Sequence, residues 1–402
     1  MKIMSMQVNT SPRTALRFVV LLGIVSLFAD MTYEGARSIT GPYLAVLGAS
    51  ATTVGIVAGF GELIGYLLRL ASGYLADRTQ RYWLITIIGY AINLLAVPAL
   101  ALAGHWTLAA LLIVLERTGK AIRTPARDAM LSHATAEMGR GWGFGLHEAL
   151  DQAGATVGPL IVAAVLYFGD GYRTAFSALL IPAMLSLATL TAARFLYPKP
   201  QSLETLTPGF APTGFGKAYW IYVAAVSCIA LGYADYPLIA YHFEKTDGVP
   251  SDWIAVFYAV AMAVDALAAL VFGYWYDRLG IKILVVAAML SALFAPLVFL
   301  GDFSIALAGV VFWGIGMGAQ ESIMRAAIAA MSPKDRRGTA YGFFNMSFGL
   351  FWFAGSAFMG FLYDISIPAL IAFSVAAQLI SLPLFIASHR LHRADMNNRP
   401  VE

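Results

Sequence analysis

The sequence has little charge and almost no cysteine. Of its 402 residues only 12% are Asp, Glu, Lys or Arg, against about 25% in an ordinary water-soluble domain. The single Cys228 excludes an internal disulfide, and no cysteine–histidine cluster has metal-ligand spacing, so no metal or cofactor is predicted. A net charge of +3 is too small for a nucleic-acid-binding protein. We therefore expect the lipid bilayer to surround most of the chain.

Apolar residues dominate what remains. Hydrophobic side chains make up 59% of the chain, and the mean hydropathy is +0.73. A helix needs about 20 apolar residues to cross a bilayer, and twelve runs are that long. The predicted spans are 15–47, 52–76, 82–104, 107–133, 141–168, 173–196, 218–244, 251–276, 282–301, 303–331, 339–362 and 367–389. The pattern predicts an all-α membrane protein with twelve transmembrane helices in two pseudo-symmetric six-helix bundles.

Positive charge is distributed unevenly between the predicted loops. If the N-terminus is cytoplasmic, Lys and Arg residues outside the spans fall almost entirely on the cytoplasmic side, and only Arg173 and Lys245 fall opposite. Cytoplasmic loops of membrane proteins carry this excess. We therefore expect a multi-pass protein of the cell (inner) membrane with both termini in the cytoplasm. Nothing in the sequence indicates an oligomer, so a monomer is expected.

The chain divides into two halves. A polar connection over 197–217 contains four of the prolines, at positions 198, 200, 208 and 212, which is typical of a linker. The predicted organisation is an N-terminal bundle at 1–196, the linker, a C-terminal bundle at 218–389 and a cytoplasmic tail at 390–402.

The halves also repeat weakly. The segment Gly73-Tyr-Leu-Ala-Asp77-Arg78 recurs 200 residues later as Gly273-Tyr-Trp-Tyr-Asp277-Arg278, and further matches stand at offsets of 198 and 199. Paired repeats around a site near the bilayer midplane are typical of secondary transporters.

The segment after the second predicted helix resembles the Gly-x-x-x-Asp-Arg signature of the major facilitator superfamily, and the likeness extends over both halves. The first copy has Gln80 where the signature has a second glycine, whereas the second copy keeps Gly280. The resemblance implies twelve helices, transport by alternating access and a charged latch at the cytoplasmic helix ends. The residues that match the latch are Gly73, Asp77, Arg78, Arg81, Gly273, Asp277 and Arg278.

The fifth predicted helix carries a second likeness. Gly145, Gly154, Gly158 and Pro159 resemble the antiporter motif of proton-coupled drug exporters in the same superfamily, although the match stops at Val162. Small residues one turn apart let helices approach closely, and a proline permits a kink. The alternative is ordinary small-residue packing with no bearing on direction. The motif favours export over import.

Ionisable residues inside the membrane are costly and mark functional sites. They concentrate in the first half, where Asp30 and Lys120 each lie thirteen residues from a helix end, roughly 20 Å deep at about 1.5 Å per residue. The candidates for proton coupling are Asp30, Glu34, Asp151 and Glu148, and the expected cavity cations and their partners are Arg37, Glu116, Arg117, Lys120 and Arg123. The alternative is a set of ion pairs that only fix helix register.

Several functions stay open at this point. The leading hypothesis is a proton-coupled exporter of a small amphipathic organic solute, because aromatic residues in the second half offer an apolar wall opposite the charges. A symporter that imports an organic anion on Lys120 and Arg123 is the alternative. An enzyme is disfavoured because the sequence has no nucleotide-binding loop, metal cluster or nucleophile motif. A sensor or scaffold would not need buried charges.

Overall fold

The computed structural model describes residues 12–135, 140–169, 171–198, 215–280, 282–332 and 337–397, and every regular element in them is helical. The helices are α1 (Pro12–Val46), α2 (Ala51–Thr79), α3 (Tyr82–Ala99), α4 (Trp106–Thr135), α5 (Arg140–Tyr167), α6 (Gly171–Ala178), α7 (Leu180–Leu196), α8 (Lys217–Gly232), α9 (Tyr236–Thr246), α10 (Ser251–Leu279), α11 (Lys282–Ser291), α12 (Phe294–Leu300), α13 (Phe303–Met331), α14 (Arg337–Ile365) and α15 (Ile367–Asn397). The all-α membrane class predicted from the sequence is confirmed.

These helices account for the predicted spans. Within the described residues, eleven segments are long and apolar enough to cross a membrane. The pairs α6–α7, α8–α9 and α11–α12 each form one span with a break, and a short 3₁₀ turn at Leu100–Leu102 extends α3. The remaining helix is α4, which has 30 residues but carries too many charges to count as apolar. Together they give the twelve predicted crossings.

The break between α8 and α9 is the one that matters for the site. Gly232 ends α8, and residues 233–235 are not helical. Asp235 stands in extended backbone immediately before α9 (φ −68°, ψ 143°), and its carboxylate accepts no hydrogen bond from that helix. Pro237 lies in the first turn of α9, where its missing N–H costs nothing. The unwound segment therefore presents an acidic side chain at mid-span.

The two halves meet mainly through α2 with α14, α5 with α10 and α1 with α9, and less extensively through α1 with α10 and α2 with α9. Glycines permit the approach. An added Cβ at Gly55 would strike the Ser356 carbonyl, and one at Gly360 would strike Ala51. Backbones can approach this closely only where both helices carry small residues.

The halves are joined on the side opposite the chain ends, which we call the far side; the side where α1 begins and α15 ends is the terminal side. The Asp364 carboxylate on α14 accepts hydrogen bonds from the backbone N–H groups of Ala51 and Thr52 at 3.1 and 2.9 Å. The Tyr241 hydroxyl donates to the Ala49 carbonyl at 3.2 Å. We call these contacts, with the Tyr172–Glu244 hydrogen bond of 2.6 Å, the far-side seal.

The ring contact between Tyr66 and Phe348, at 5.7 Å, joins α2 and α14 near their midpoints. Beyond it, toward the terminal side, an added Cβ at Gly342 would meet no atom. Glu148 and Glu321, which belong to opposite halves, are exposed at this level. Carboxylates exposed inside membrane-spanning helices indicate access for water. Among the described residues, the halves are therefore closed on the far side and open toward the terminal side.

Candidate functional site

Charged side chains from both halves converge at mid-membrane. This central cluster combines residues from α1, α2 and α4 with two from the second half, one in the α8–α9 break and one on α10. Its members are Glu34, Arg37, Glu62, Glu116, Arg117, Lys120, Asp235 and Tyr258.

Arg37 on α1 connects the two halves. Its Nη2 lies 2.7 Å from Oδ1 of Asp235 and 3.3 Å from Oε1 of Glu62. The Arg37 and Asp235 side chains are only 8% and 2% exposed. The second Asp235 oxygen accepts from the indole N–H of Trp352 at 3.3 Å. A buried pair with such partners is strongly coupled, because removing one member leaves the other charge uncompensated.

The charges of α4 contact its neighbours α2 and α3. Arg117 contacts Glu62 through Nη1 and Glu116 through Nε, each at 3.3 Å. The amide nitrogen of Asn93 on α3 donates to Oε1 of Glu116 at 2.7 Å. The chain of contacts thus runs without interruption from α3 through α4 to α2.

Glu34 is the second link between the halves. Its Oε1 lies 3.7 Å from Nζ of Lys120, and its Oε2 accepts from the Tyr258 hydroxyl on α10 at 2.5 Å. The Lys120 ammonium also stands 3.9 Å from the centre of the Tyr33 ring, a cation–π arrangement. Equal depth along the helices suggests Asp30 as a partner for Lys120, but the ion pair that forms is with Glu34.

A small cavity of about 30 Å³ adjoins the central cluster. Arg37, Arg117, Glu116 and Asp235 supply its charged wall, and Tyr33 is its one aromatic residue. This volume holds about two water molecules. In the described conformation the cavity is too small for an organic solute, so the halves must separate here to admit one.

A second polar group lies nearer the terminal side, and we call it the histidine cluster: Ser26, Tyr90, Arg127, His147 and Asp151. His147 Nδ1 lies 3.4 Å from Oδ2 of Asp151, and its Nε2 lies 3.1 Å from the Ser26 hydroxyl. Arg127 donates to the same hydroxyl at 3.0 Å. The contacts join α1, α3, α4 and α5.

Asp30 and Arg123 lie close to both clusters. Asp30 is 4% exposed, and its Oδ1 accepts no hydrogen bond from any described residue. Arg123 is 1% exposed, and its Nε and Nη1 likewise have no described acceptor. Its guanidinium lies 4.2 Å from the centre of the Tyr90 ring. Buried polar atoms without partners are rare and are typical of functional positions.

The other predicted site residues belong to neither cluster. Glu148 is exposed, and its carboxylate accepts from the Gln152 amide at 3.5 Å. Gly154 and Gly158 face α1, where an added Cβ would strike the backbone of Leu27 and Met31. Pro159 lies inside α5. Gly145 lies outside the residues whose surroundings the structure describes.

The structure describes the residues that match the latch only in part. Arg78 and Arg81 are exposed, and the Arg278 guanidinium lies 4.1 Å from the centre of the Tyr274 ring. An added Cβ at Gly73 would contact Pro125, and one at Gly273 would meet nothing. The side chains of Asp77 and Asp277 lie outside the described residues, so the latch stays a prediction.

The sequence-based selection omitted Glu62, Asp235, Tyr258 and His147 as site residues. One signal could have found Asp235: it stands 198 residues after Arg37, within the spacing of the internal repeat. No such signal identified Tyr258, because its role depends on which face of α10 contacts α1. The expected aromatic wall also differs, since Tyr233, Tyr236 and the residues around them pack inside the second half.

Comparison with known proteins shows the family of the chain. Residues 22–249 and 218–400 match the sequence profile of the Major Facilitator Superfamily. An uncharacterised protein of Mycobacterium tuberculosis is 41% identical over 381 residues, which cover 93% of each chain. An uncharacterised MFS-type transporter of Methanocaldococcus jannaschii is 26% identical over 94% of this chain and 97% of its own.

The fold has solved counterparts. The crystal structure of a POT family transporter in complex with 5-aminolevulinic acid superposes with a TM-score of 0.77 at 12% identity, covering 94% of this chain and 96% of that one. At this identity the likeness concerns the fold alone. The sequence profile, however, spans both halves of the chain, and this chain therefore belongs to the major facilitator superfamily.

Proposed function

We propose that this secondary transporter is a proton-coupled exporter of a small amphipathic organic solute that works by alternating access. The observation that carries the proposal is the pair of links between the halves, Arg37–Asp235 at 2.7 Å and Glu34–Tyr258 at 2.5 Å. Any rocking of one half against the other must break or exchange these contacts. Charge changes at this level therefore bias the conformational equilibrium.

Asp30 is the proposed coupling residue. It is buried at mid-span with one oxygen that lacks a described donor, and a carboxylate there can bind a proton without losing a hydrogen bond at that oxygen. Gly154 brings α5 against it, since an added Cβ would lie 3.1 Å from the Asp30 Cβ. A movement of α1 relative to α5 would therefore change the surroundings of this carboxylate.

The proposed substrate follows from the lining of the cavity. Arg37, Arg117 and Glu116 offer charge, while Val54, Val57 and other apolar side chains complete the wall. A solute with a polar end and an apolar body fits such a lining. Export is favoured by the antiporter-type helix with Gly154, Gly158 and Pro159. We also propose that both termini lie in the cytoplasm, that the protein acts as a monomer in the inner membrane, and that the halves divide at 197–217.

One observation favours the alternative, an importer of organic anions by proton symport. Arg123 is fully buried and has two guanidinium nitrogens without a described acceptor. A carboxylate or phosphate could satisfy both nitrogens at once, as bidentate anions do. The direction of proton movement separates this alternative from export.

The test uses inside-out membrane vesicles with an acid interior and a fluorescent reporter of the pH gradient. Tetraphenylphosphonium and benzoate serve as amphipathic cation and anion probes. Under proton-coupled exchange, an exported probe dissipates the gradient when it is added outside the vesicles. Uptake driven only by the reverse gradient, with the probe and protons moving together, would support the symporter. No pH response to a transported probe would contradict proton coupling itself.

Variants assign the coupling residue. We expect Asp30→Asn to abolish accumulation against a gradient while probe counterflow persists, because binding and rocking remain but protonation is lost. Asp252→Asn, a carboxylate in the first turn of α10 outside both clusters, is the matched control. Normal gradient-driven transport by Asp30→Asn together with failure of Asp151→Asn would move the coupling role to α5.

A further inference from the structure

The Ser26 hydroxyl in the histidine cluster has three side-chain neighbours. Arg127 Nη1 donates to it at 3.0 Å, His147 Nε2 lies at 3.1 Å and the Tyr90 hydroxyl lies at 3.5 Å. Ser26 is wholly buried, and His147 is 3% exposed. A serine hydroxyl has one hydrogen to donate and two lone pairs that accept. Its hydrogen can therefore point either to the histidine or to the tyrosine.

This freedom satisfies His147 in both of its protonation states. When the imidazole is neutral, Nδ1–H donates to Asp151 and the Ser26 hydroxyl donates to Nε2. When the imidazole carries a second proton, Nε2–H donates to the serine oxygen and the hydroxyl hydrogen turns to Tyr90. Arg127 keeps its bond to Ser26 in both states. Proton binding thus needs one new N–H bond and one hydroxyl rotation, and the Tyr90 hydroxyl accepts from Ser26 in the protonated state.

The cluster lies between Asp30 and the terminal-side opening. Ser26 and Asp30 are one helical turn apart on α1, so they share a face. On α5, Gly154 packs against Asp30, whereas Asp151 and His147 lie one and two turns nearer the opening. The Asp151 side chain is 17% exposed, which gives protons from water a route to the cluster.

The elements around the histidine cluster carry charged or titratable groups. α5 itself carries Asp151 and Glu148, α1 carries Asp30, and α3 carries Tyr90. The groups on α4 and α10 are Arg123, Arg127, Asp128 and Asp265. Arg127 is neutralised by Asp128 at 2.9 Å and stands 3.9 Å from Asp151. Asp151 therefore faces both the arginine and the imidazole, and it offsets the charge of a protonated histidine.

We propose that His147, held between Ser26 and Asp151, is a second proton-binding site in series with Asp30, placed between that carboxylate and the terminal-side opening. The ligand is a proton delivered by water. The inference deepens the proposed proton coupling and rests on it. Imidazole suits the role because its ordinary titration lies closest to physiological pH.

The direct test observes the histidine itself. The full chain, labelled with ¹⁵N-histidine and reconstituted in lipid nanodiscs, is titrated by NMR. Among the signals of the six histidines, we expect one that changes protonation with pH to be lost in His147→Gln. His105→Gln, which removes an exposed histidine hydrogen-bonded to Thr107, removes a different signal. Asp30→Asn is expected to shift the His147 midpoint, because sites in series interact. A His147 signal that keeps one form throughout would overturn the proposal.

Variants of Ser26 test whether its hydroxyl must rotate when His147 binds a proton, and they leave the imidazole in place. We call this rotation the hydroxyl switch. We expect Ser26→Ala to shift the same midpoint and Ser26→Thr, which keeps a hydroxyl, to restore it. Ser186→Ala is the matched control, since Ser186 is equally buried and its hydroxyl donates to the Val25 carbonyl on α1, outside the histidine cluster. Equal midpoints in the Ser26→Ala variant and the wild type would contradict the switch.

Transport separates this inference from the proposed function. In the vesicle assay, His147→Gln should move the pH at half-maximal rate by about one unit, a tenfold change in proton concentration. The probe KM at the optimum should stay unchanged. If transport by the wild type does not respond to pH, the proposed proton coupling is wrong. The NMR titration would still show whether His147 binds a proton. A coupled wild type with an unchanged profile in His147→Gln would defeat only the role of His147.

Discussion

The Arg37–Asp235 pair gives the sharpest prediction at the scale of single residues. Asp235→Ala leaves the Arg37 charge buried with Glu62 as its remaining partner. Breaking a buried pair costs about 3–5 kcal/mol. Because Glu62 still pairs with Arg37, we expect the free energy of unfolding to fall by about 3 kcal/mol, the lower end of this range. Thermal unfolding in detergent measures it, with Asp252→Ala as the control.

The double variant Arg37→Leu/Asp235→Leu separates stability from transport. Apolar residues of similar volume often replace a buried pair at no cost in stability, so most of the lost unfolding free energy should return. Transport should not return, because the link between the halves is gone. Recovery of both would show that the pair only holds the helices together.

At residue scale the sequence identified most charges of the central cluster but not how they pair. Glu34, Arg37, Arg117 and Lys120, all predicted as site residues, lie in that cluster. Depth along a helix placed Lys120 level with Asp30, yet the ammonium pairs with Glu34. Helix rotation and side-chain reach decide such pairings, and neither can be read from residue spacing.

At the scale of elements, the ends of α2 and α10 explain why the first copy of the superfamily signature has Gln80 in place of a glycine. Gln80 and Gly280 follow α2 and α10 with φ values of 56° and 61°. The ψ of Gln80 is 19°, a left-handed conformation that other residues can adopt, whereas the ψ of Gly280 is −149°, in a region open almost only to glycine. The first copy can therefore carry glutamine and the second cannot.

This difference in backbone conformation predicts that two substitutions have opposite effects on the free energy of unfolding. We expect Gln80→Gly to raise the free energy of unfolding by up to about 1 kcal/mol, because the left-handed conformation costs other residues roughly that much. Gly280→Gln should lower it by about 1–3 kcal/mol. Thermal midpoints of both variants in the same detergent make the comparison, and equal midpoints would argue against a backbone origin.

The α1–α5 contact predicts the effect of added volume. An added Cβ at Gly158 would strike the backbone of Met31, so Gly158→Leu should separate the helices, lower stability by about 1–3 kcal/mol and abolish exchange. Gly65→Leu is the matched control, since an added Cβ at Gly65 in α2 meets no atom. Full exchange by Gly158→Leu would remove the requirement for close approach.

Element boundaries were predicted well because apolar length determines them. The predicted spans begin and end within three residues of the observed helices, even for the charged α4, except that α15 continues eight residues past the predicted end. The break before Asp235 was not predicted. Gly232 at the end of α8 and Pro237 in the first turn of α9 were the available signal. The contacts of Asp235 with Arg37 and Trp352 could not be read from the sequence.

At the scale of the whole molecule, the contacts of Asp364 indicate which interaction must break when the far side opens. Its carboxylate caps α2 from the opposite half. Losing a cap costs about 0.5–2 kcal/mol, and about 1.4 kcal/mol is a tenfold change in an equilibrium. We expect Asp364→Ala to accelerate labelling of a Thr40→Cys cavity residue by an impermeant maleimide about tenfold. A Cys228→Ser background removes the native thiol.

Asp302→Ala provides the control for this experiment. Asp302 caps α13 through the N–H of Ile305 at 3.0 Å, so the variant loses a comparable cap within one half. Its labelling rate should match that of the unaltered background. Equal acceleration by both variants would show that general loosening, rather than the far-side seal, exposes the cavity.

The one-sided closure also determines where the membrane voltage falls. Water that reaches the middle of the protein from the terminal side carries the potential of that compartment inward. The remaining drop lies across the joined segment of α2 from Ala51 to Tyr66, roughly 22 Å at about 1.5 Å per residue. The central cluster stands within this steeper field and the histidine cluster stands largely outside it. Charge that moves in the central cluster therefore does electrical work, about 2.3 kcal/mol per charge for a full 100 mV, whereas a proton that binds at His147 does little.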